Sequence, residues 1–176
     1  TQIQAAAIPA LHRGQNVVLQ AQTGSGKTLA YLLPLLKVVD PSVKQVQAII
    51  LAPSRELVQQ IGQVAASLFQ GTDYRVQTLI GGANIHHQTI RLRDDRPQIL
   101  IATPGRLAEI VFKLEKLRLG RVKVVVVDEV DSMMQEPYIG EVETLLQATP
   151  LYSKAAAERN MEAKLTTAPV ESSAAS

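Results

Sequence analysis

A parallel β-sheet covered by helices on both faces is the fold that three features of the sequence predict. Short apolar runs rich in β-branched residues alternate with stretches of helical spacing. The runs are continuously apolar, as in Val46 to Ala52 and Val122 to Val127, which is the pattern of strands buried on both sides. Turn-forming Gly and Pro residues punctuate the joins.

The elements follow in order. Ile3, Ala6, Ala7 and Ala10 share one helix face, so the first helix is already under way at Thr1 and the chain is expected to be a piece of a longer one. Asn16-Val-Val-Leu-Gln20 predicts a strand. A helix follows with Leu29, Leu32, Leu33 and Leu36 on its apolar side, kinked at Pro34. Val46 to Ala52 predicts a buried strand, after which Ser54 is a natural N-cap for a helix striped by Leu57, Val58, Ile61, Ala65 and Leu68. Gly71 closes that helix.

A strand from Tyr74 to Ile80 ends in Gly81-Gly82. A helix from Asn84 to Arg93, a strand from Gln98 to Ala102, a helix from Thr103 to Leu117 and a strand from Val122 to Val127 complete five strand-helix alternations. From Pro150 onward Ala, Ser and Thr replace the aliphatic periodicity. The domain is therefore expected to span residues 1–149, with residues 150–176 a divergent tail: a solvated helix over Lys154 to Lys164, then disorder.

Composition narrows the chemistry. The 176 residues are enough for one domain with a sizeable core. Aromatic residues make up only 3%, so the core is aliphatic. Lys and Arg number 18 against 16 Asp and Glu, too small an excess to argue nucleic-acid binding from bulk charge. The absence of Cys excludes disulfides, thiolate metal sites and a Cys nucleophile. No apolar run approaches the roughly 20 residues of a membrane span, and no signal-peptide pattern appears, so a soluble intracellular protein is expected.

The stretch Ala21-Gln22-Thr23-Gly24-Ser25-Gly26-Lys27-Thr28 lies between a predicted strand and a predicted helix, the context a phosphate-binding loop requires. Gly24 and Gly26 let several backbone N–H groups converge on an anion, and the helix start adds its positive dipole end. Lys27 reaches the terminal phosphates, and the Thr28 hydroxyl is placed to ligate Mg2+. Ala21 stands where the general pattern has Gly. Downstream, the Val122 to Val127 strand ends in Asp128-Glu129-Val130-Asp131. Ligands bind at the carboxyl ends of parallel strands, so Asp128 can hold Mg2+ and Glu129 can orient or deprotonate an attacking water.

With these motifs in place, residues 1–147 resemble the first RecA-like P-loop NTPase domain of DEAD-box ATP-dependent RNA helicases. The loop from Ala21 to Thr28 is similar to that family's phosphate loop, and Asp128-Glu129-Val130-Asp131 resembles its name-giving tetrapeptide with Val for Ala. Thr1-Gln-Ile-Gln4 resembles the end of the glutamine motif, which implies that Gln4 reads the adenine edge and selects ATP over GTP.

Three further stretches resemble RNA-contacting segments: Pro53-Ser54-Arg55-Glu56-Leu57, the doublet Gly81-Gly82, and Thr103-Pro104-Gly105-Arg106-Leu107. Ser54 and Thr103 each precede a helix, presenting hydroxyl and free N–H groups to sugar and phosphate, so binding is expected to be independent of base sequence. Arg55 and Arg106 have two options, phosphate contact or pairing with acids inside the domain. His86 with His87, Met133 with Met134, and the cluster of Arg91, Arg93, Arg96, Asp94 and Asp95 carry no functional assignment. They are expected to form a helix start, core filling and a self-paired helix end respectively.

The resemblance also implies a Ser-Ala-Thr strand and a second RecA-like domain bearing arginine fingers. Ala148-Thr149 lies too close to Asp131 to be that strand's motif, so the domain is expected to be truncated before it. Two functions follow: the ATP-binding half of an RNA helicase, nearly inactive by itself, or a non-catalytic module that binds nucleotide or RNA.

Overall fold

The computed structural model describes residues 1–22 and 24–152; Thr23 and the expectations for the tail beyond residue 152 lie outside them. In chain order the elements are α1 (Gln2–His12), α2 (Lys27–Leu32), α3 (Leu35–Val38), β1 (Ala48–Leu51), α4 (Arg55–Leu68), β2 (Val76–Leu79), α5 (Ile85–Asp95), β3 (Ile99–Ala102), α6 (Pro104–Ala108), β4 (Val124–Val127), α7 (Val130–Met133) and α8 (Ile139–Gln147). The strands form one sheet in the order β2-β3-β1-β4, every neighbouring pair parallel.

Alternation along each strand divides the core into two layers. Ile49 and Leu51 of β1 join Leu100 and Ala102 of β3 under Leu107, Ile110, Val142 and Leu145. Ala48 and Ile50 join Ile99 and Ile101 on the other face, packed by Leu32 and Leu35 of α2 and α3 and by Val58 and Ile61 of α4. Both β1 and β3 are therefore buried on both sides, as their continuous apolar runs required.

Buried amides tie the loops to this sheet. The fully buried Gln98 accepts a hydrogen bond from the Arg75 N–H at 2.9 Å and donates to the Pro41 carbonyl at 3.0 Å. Gln47, also fully buried, accepts from the Asp40 N–H at 3.0 Å and donates to its carbonyl at 2.7 Å. Each closes backbone groups that a loop would otherwise bury unpaired.

Three differences from the sequence expectations have physical causes. The run Asn16 to Gln20 is not a strand of the sheet, and Val18 is 45% exposed. β-propensity describes fit to a pleated neighbour, and among the described residues none is laddered to this run. For the related reason β4 is an edge strand whose four valines are each only half-buried. The helix begun at Pro104 passes into a π-helical turn, Glu109–Lys113, and stops where Glu115 takes φ 50°, short of Leu117. Pro34 divides the first core helix into α2 and α3 while Leu33 and Pro34 keep right-handed helical angles, the kink that the sequence predicts.

Gln98→Leu keeps the side-chain volume but strips the partners from the Arg75 N–H and the Pro41 carbonyl. Urea unfolding should show a loss of about 2 to 3 kcal/mol, whereas Gln45→Leu, at an exposed position, should stay near the wild-type value.

Candidate functional site

The register brings all four strands to an end on one rung. Leu51 lies opposite Ala102 on one side and Val127 on the other, and Ala102 lies opposite Leu79. The segments that follow these residues are Pro53-Ser54-Arg55, Thr103-Pro104-Gly105-Arg106, Asp128-Glu129 and Gly81-Gly82. In spatial order along the carboxyl edge they run Gly81-Gly82, Thr103, Ser54, Asp128. With neighbouring strands about 4.8 Å apart, the row spans roughly 15 Å.

The loop leading into α2 lies beside Asp128. Gly24 and Gly26 have φ 78° and 93°, and Gly26 is the left-handed N-cap of α2, followed by Lys27 and Thr28 in its first turn. Gln4, on α1, donates from Nε2 to the Gly26 carbonyl at 3.3 Å. The left-handed conformation demands glycine there, and a Cβ, which would come within 2.6 Å of that same Nε2, would also displace the Gln4 amide. Ala21 is half-buried and Gln22 exposed, and the Ser25 N–H donates to the Gln22 carbonyl at 3.3 Å. The Ser25 Oγ is buried with no hydrogen-bond partner among the described residues, a polar atom left over inside a loop whose N–H groups suit a phosphate.

Asp128 and the loop meet through a residue the sequence motifs did not single out. Tyr31, 6% exposed on α2, donates its hydroxyl to Asp128 Oδ2 at 3.0 Å, and the Thr28 side chain lies beside that hydroxyl and lowers its pKa. Burial, reinforced by the Asp128 carboxylate, pushes the Tyr31 phenol far above its ordinary value, so it stays protonated and donating. Thr28 and Asp128, 100 positions apart in the chain, thus converge on one hydroxyl. Asp128 Oδ1 in turn accepts the Glu129 N–H at 3.0 Å, and Glu129 adopts φ 50° as the exposed N-cap of α7. A left-handed conformation at a non-glycine residue costs on the order of 1 to 2 kcal/mol. The oxygen donors of Thr28 and Asp128 fit a hard divalent cation such as Mg2+.

The remaining segments assemble around two arginines, Arg55 and Arg106. Ser54 caps α4, its Oγ accepting the Leu57 N–H at 3.1 Å, and half-buried Pro53 sets its approach. Arg55, exposed and without an ion pair among the described residues, lies against the glycine doublet. A Cβ on Gly82, whose φ is 78°, would run into its guanidinium, and one on Gly81 would lie 3.9 Å from its Nε. Thr103 caps α6 without using its hydroxyl; Pro104 is buried at the first helical position and Gly105 is exposed. Arg106 takes the internal option: its Nη1 donates to the Ala83 carbonyl at 3.0 Å, and its Nε lies 3.2 Å from Glu109 Oε2, near enough for charge attraction but off-line for a hydrogen bond. Its side chain is 10% exposed, so it braces the glycine turn and leaves little to offer a phosphate.

A model of the DEAD/DEAH box helicase family matches residues 1–173. The chain belongs to that family. It is 42% identical over 149 residues to the DEAD-box ATP-dependent RNA helicase CshC of Bacillus cereus, covering 85% of this chain and 38% of that protein. The ATP-dependent rRNA helicase RRP3 of Encephalitozoon cuniculi is 38% identical over 146 residues, covering 83% and 36%. Among solved structures, the yeast DEAD-box splicing factor Prp28 superposes with a TM-score of 0.74 at 32% identity, over 84% of this chain and 36% of that one. A hypothetical ATP-dependent RNA helicase from Sulfolobus tokodaii gives the same TM-score at 31% identity, over 84% and 42%. The chain spans well under half the length of these relatives. Its four-stranded sheet is that of a RecA-like DEAD-box domain, and ATP use belongs to the family.

Two positioning residues of this DEAD/DEAH box chain escaped the sequence reading. Tyr31 sits within the predicted helix, and its place one turn after Thr28 is the local signal for it. Gln88, only 9% exposed, grips both backbone groups of Ile80, accepting its N–H and donating to its carbonyl at 3.1 Å each, immediately before the glycine doublet. Ala148-Thr149 closes α8, with Thr149 Oγ1 donating to the Leu146 carbonyl at 2.7 Å, so it is no strand motif. His86 and His87 lie exposed in the first turn of α5, whose N-cap Asn84 accepts both their N–H groups. Of the paired methionines, Met133 is fully buried and Met134 exposed.

Tyr31→Phe should cost about 1 kcal/mol in urea unfolding at neutral pH, where the wild-type hydroxyl is protonated. Because the phenol pKa is raised in the folded state, its contribution is present below the ordinary pKa of 10.0 and is lost above it, so the variant's deficit should vanish in alkaline titrations. Gln88→Ala should cost about 2 to 3 kcal/mol and speed hydrogen exchange at Ile80, with the exchange of α2 unaltered.

Proposed function

We propose that this chain is the nucleotide-binding half of an ATP-dependent RNA helicase, holding ATP at one end of the sheet's carboxyl edge and an RNA strand along the rest. The observation that carries this reading is the common terminal rung: one register aligns the two candidate RNA-gripping helix starts and the glycine doublet with the acidic pair beside the phosphate loop. The CshC and RRP3 relatives are named as ATP-dependent helicases of RNA and rRNA, which supports the same assignment.

The residues divide the work by their chemistry. Backbone N–H groups of residues 22–28, the free Ser25 hydroxyl and the Lys27 ammonium bind the terminal phosphates. Gln4 has one N–H in use on the Gly26 carbonyl, which leaves its second N–H and an Oε1 lone pair for the adenine edge. Thr28 and Asp128 would hold Mg2+, which when bound neutralises charge developing on the phosphates. Exposed Glu129 orients the attacking water and accepts its proton. Ser54, Arg55, Gly81, Gly82 and Thr103 grip sugar and phosphate, while Pro53, Pro104 and Gly105 shape those turns and Arg106 holds the glycine loop in place.

The isolated chain should bind these ligands and turn over slowly. By family resemblance the arginine fingers lie on a second RecA-like domain, and losing such a finger costs on the order of a thousandfold in rate. Calorimetry should show Mg-ATP binding in preference to GTP, and Lys27→Ala should abolish it; undiminished affinity in that variant overturns the phosphate-loop assignment. In a full-length parent, Glu129→Gln should leave ATP affinity within about twofold and lower RNA-stimulated turnover by roughly a hundredfold or more. RNA affinity should fall with rising salt and vary little with base sequence.

A further inference from the structure

The opposite end of the sheet carries a feature that neither the nucleotide nor the RNA reading uses. A cleft of about 360 Å3 opens at the amino ends of β1, β3 and β4, lined by Lys44, Arg96, Lys116, Arg118 and Arg121 above an apolar floor of Val46, Leu92, Pro97 and Leu117. All five cations are exposed, and no acidic side chain lines the cleft. Among the described residues none of the five has an ion pair, and Lys44 uses its ammonium on the Pro41 carbonyl at 3.0 Å. Arg96 departs from the expected self-paired charges ending α5. Arg91 and Arg93 do pair there, with Asp95 at 3.6 Å and Asp94 at 2.7 Å, but Arg96 turns out of the helix at φ 46° into the cleft.

Three of the five cations, Lys116, Arg118 and Arg121, are presented by one pinned loop. Between the π-helical turn and β4, exposed Lys116 and Arg118 alternate with half-buried Leu117 and buried Leu119, and buried Val122 follows Arg121. The Lys116 N–H donates to the Ile110 carbonyl and the Val122 N–H to the Leu119 carbonyl, each at 3.1 Å. Like charges held this close repel one another, a cost that an anionic ligand relieves.

We propose that this cleft docks an acidic segment of a partner protein, one in which Asp or Glu residues flank an apolar side chain. The cationic rim selects negative charge, and the apolar floor gives a buried side chain something to fill. A nucleic-acid backbone has no apolar group for that floor, no aromatic ring lines the cleft to stack a base, and the candidate RNA row lies a strand length away, roughly 10 Å, at the other end of the sheet. This chain's own residues 153–176 do not supply the segment: Lys154, Arg159 and Lys164 offset Glu158, Glu162 and Glu171.

Fluorescence anisotropy with a labelled Glu-Glu-Leu-Glu-Glu peptide at low salt tests the docking site directly. The peptide should bind, and binding should weaken roughly tenfold or more in Arg118→Glu/Arg121→Glu and likewise in Lys44→Glu/Lys116→Glu, which alters different elements. It should also weaken when Ser replaces the peptide's Leu, and persist in the control Arg91→Glu/Arg93→Glu. Mg-ATP affinity and circular dichroism should be unchanged in all three variants, separating this site from the nucleotide site and from misfolding. The proposal is overturned if the peptide fails to bind, if both cleft variants bind it as tightly as wild type, or if single-stranded RNA and not the peptide loses affinity in them.

Discussion

Everything functional in this chain depends on four parallel strands ending on a shared hydrogen-bonded rung. A parallel ladder lets no strand slide by one residue without turning its whole buried set toward the wrong layer, so Leu79, Ala102, Leu51 and Val127 are locked in line by the burial of Ile49, Ile50, Leu100 and Ile101. The segments beyond that rung inherit its alignment. Segments 27 to 75 residues apart in sequence, counted from Ser54 to Gly81 and from Ser54 to Glu129, become one row because the core beneath them tolerates one register.

On that platform a second set of contacts sets the finer positions. Tyr31 spans the gap between the phosphate-loop helix and the acidic strand, Gln88 clamps the residue before the glycine doublet, and Arg106 holds the residue after it. None of these side chains needs to touch a ligand. Tyr31 and Gln88 saturate partly buried carboxylate and backbone groups that would otherwise lack a partner, a penalty that makes them effective at fixing geometry, whereas Arg106 ties down an exposed carbonyl from its own buried position. Glu129 shows the reverse case, a residue held in an unfavourable backbone region because Asp128 and α7 on either side of it are anchored.

Charge is sorted along the strand direction. The carboxyl edge carries Asp128 and Glu129 with Lys27 and Arg55, a mixed set suited to a nucleotide and its counterions. The amino edge gathers five cations with no acid among the cleft residues. A net charge of +2 conceals this polarity, because segregation, and not the total, creates a local field.

The sequence by itself determined the fold class, the glycine-rich turn into α2, the acidic strand end and the capped helix starts, because each is a local pattern whose physics is complete within a few residues. Gly26 must be glycine for its φ, Ser54 caps the helix beside it, and the apolar runs of β1 and β3 announce two buried faces. Only the tertiary structure decided matters that need a distant neighbour. Asn16 to Gln20 has a strand's composition without a laddered strand beside it, β4 lies at an edge, and α8, with Val142 and Leu145 buried, was not anticipated at all. The choice of Arg106 for the interior, of Arg55 for the glycine turn and of Arg96 for the far cleft depended on which carbonyl, glycine or apolar floor folding brought alongside. A side chain's propensity is written in its own residue, but its partner is supplied by the packed chain.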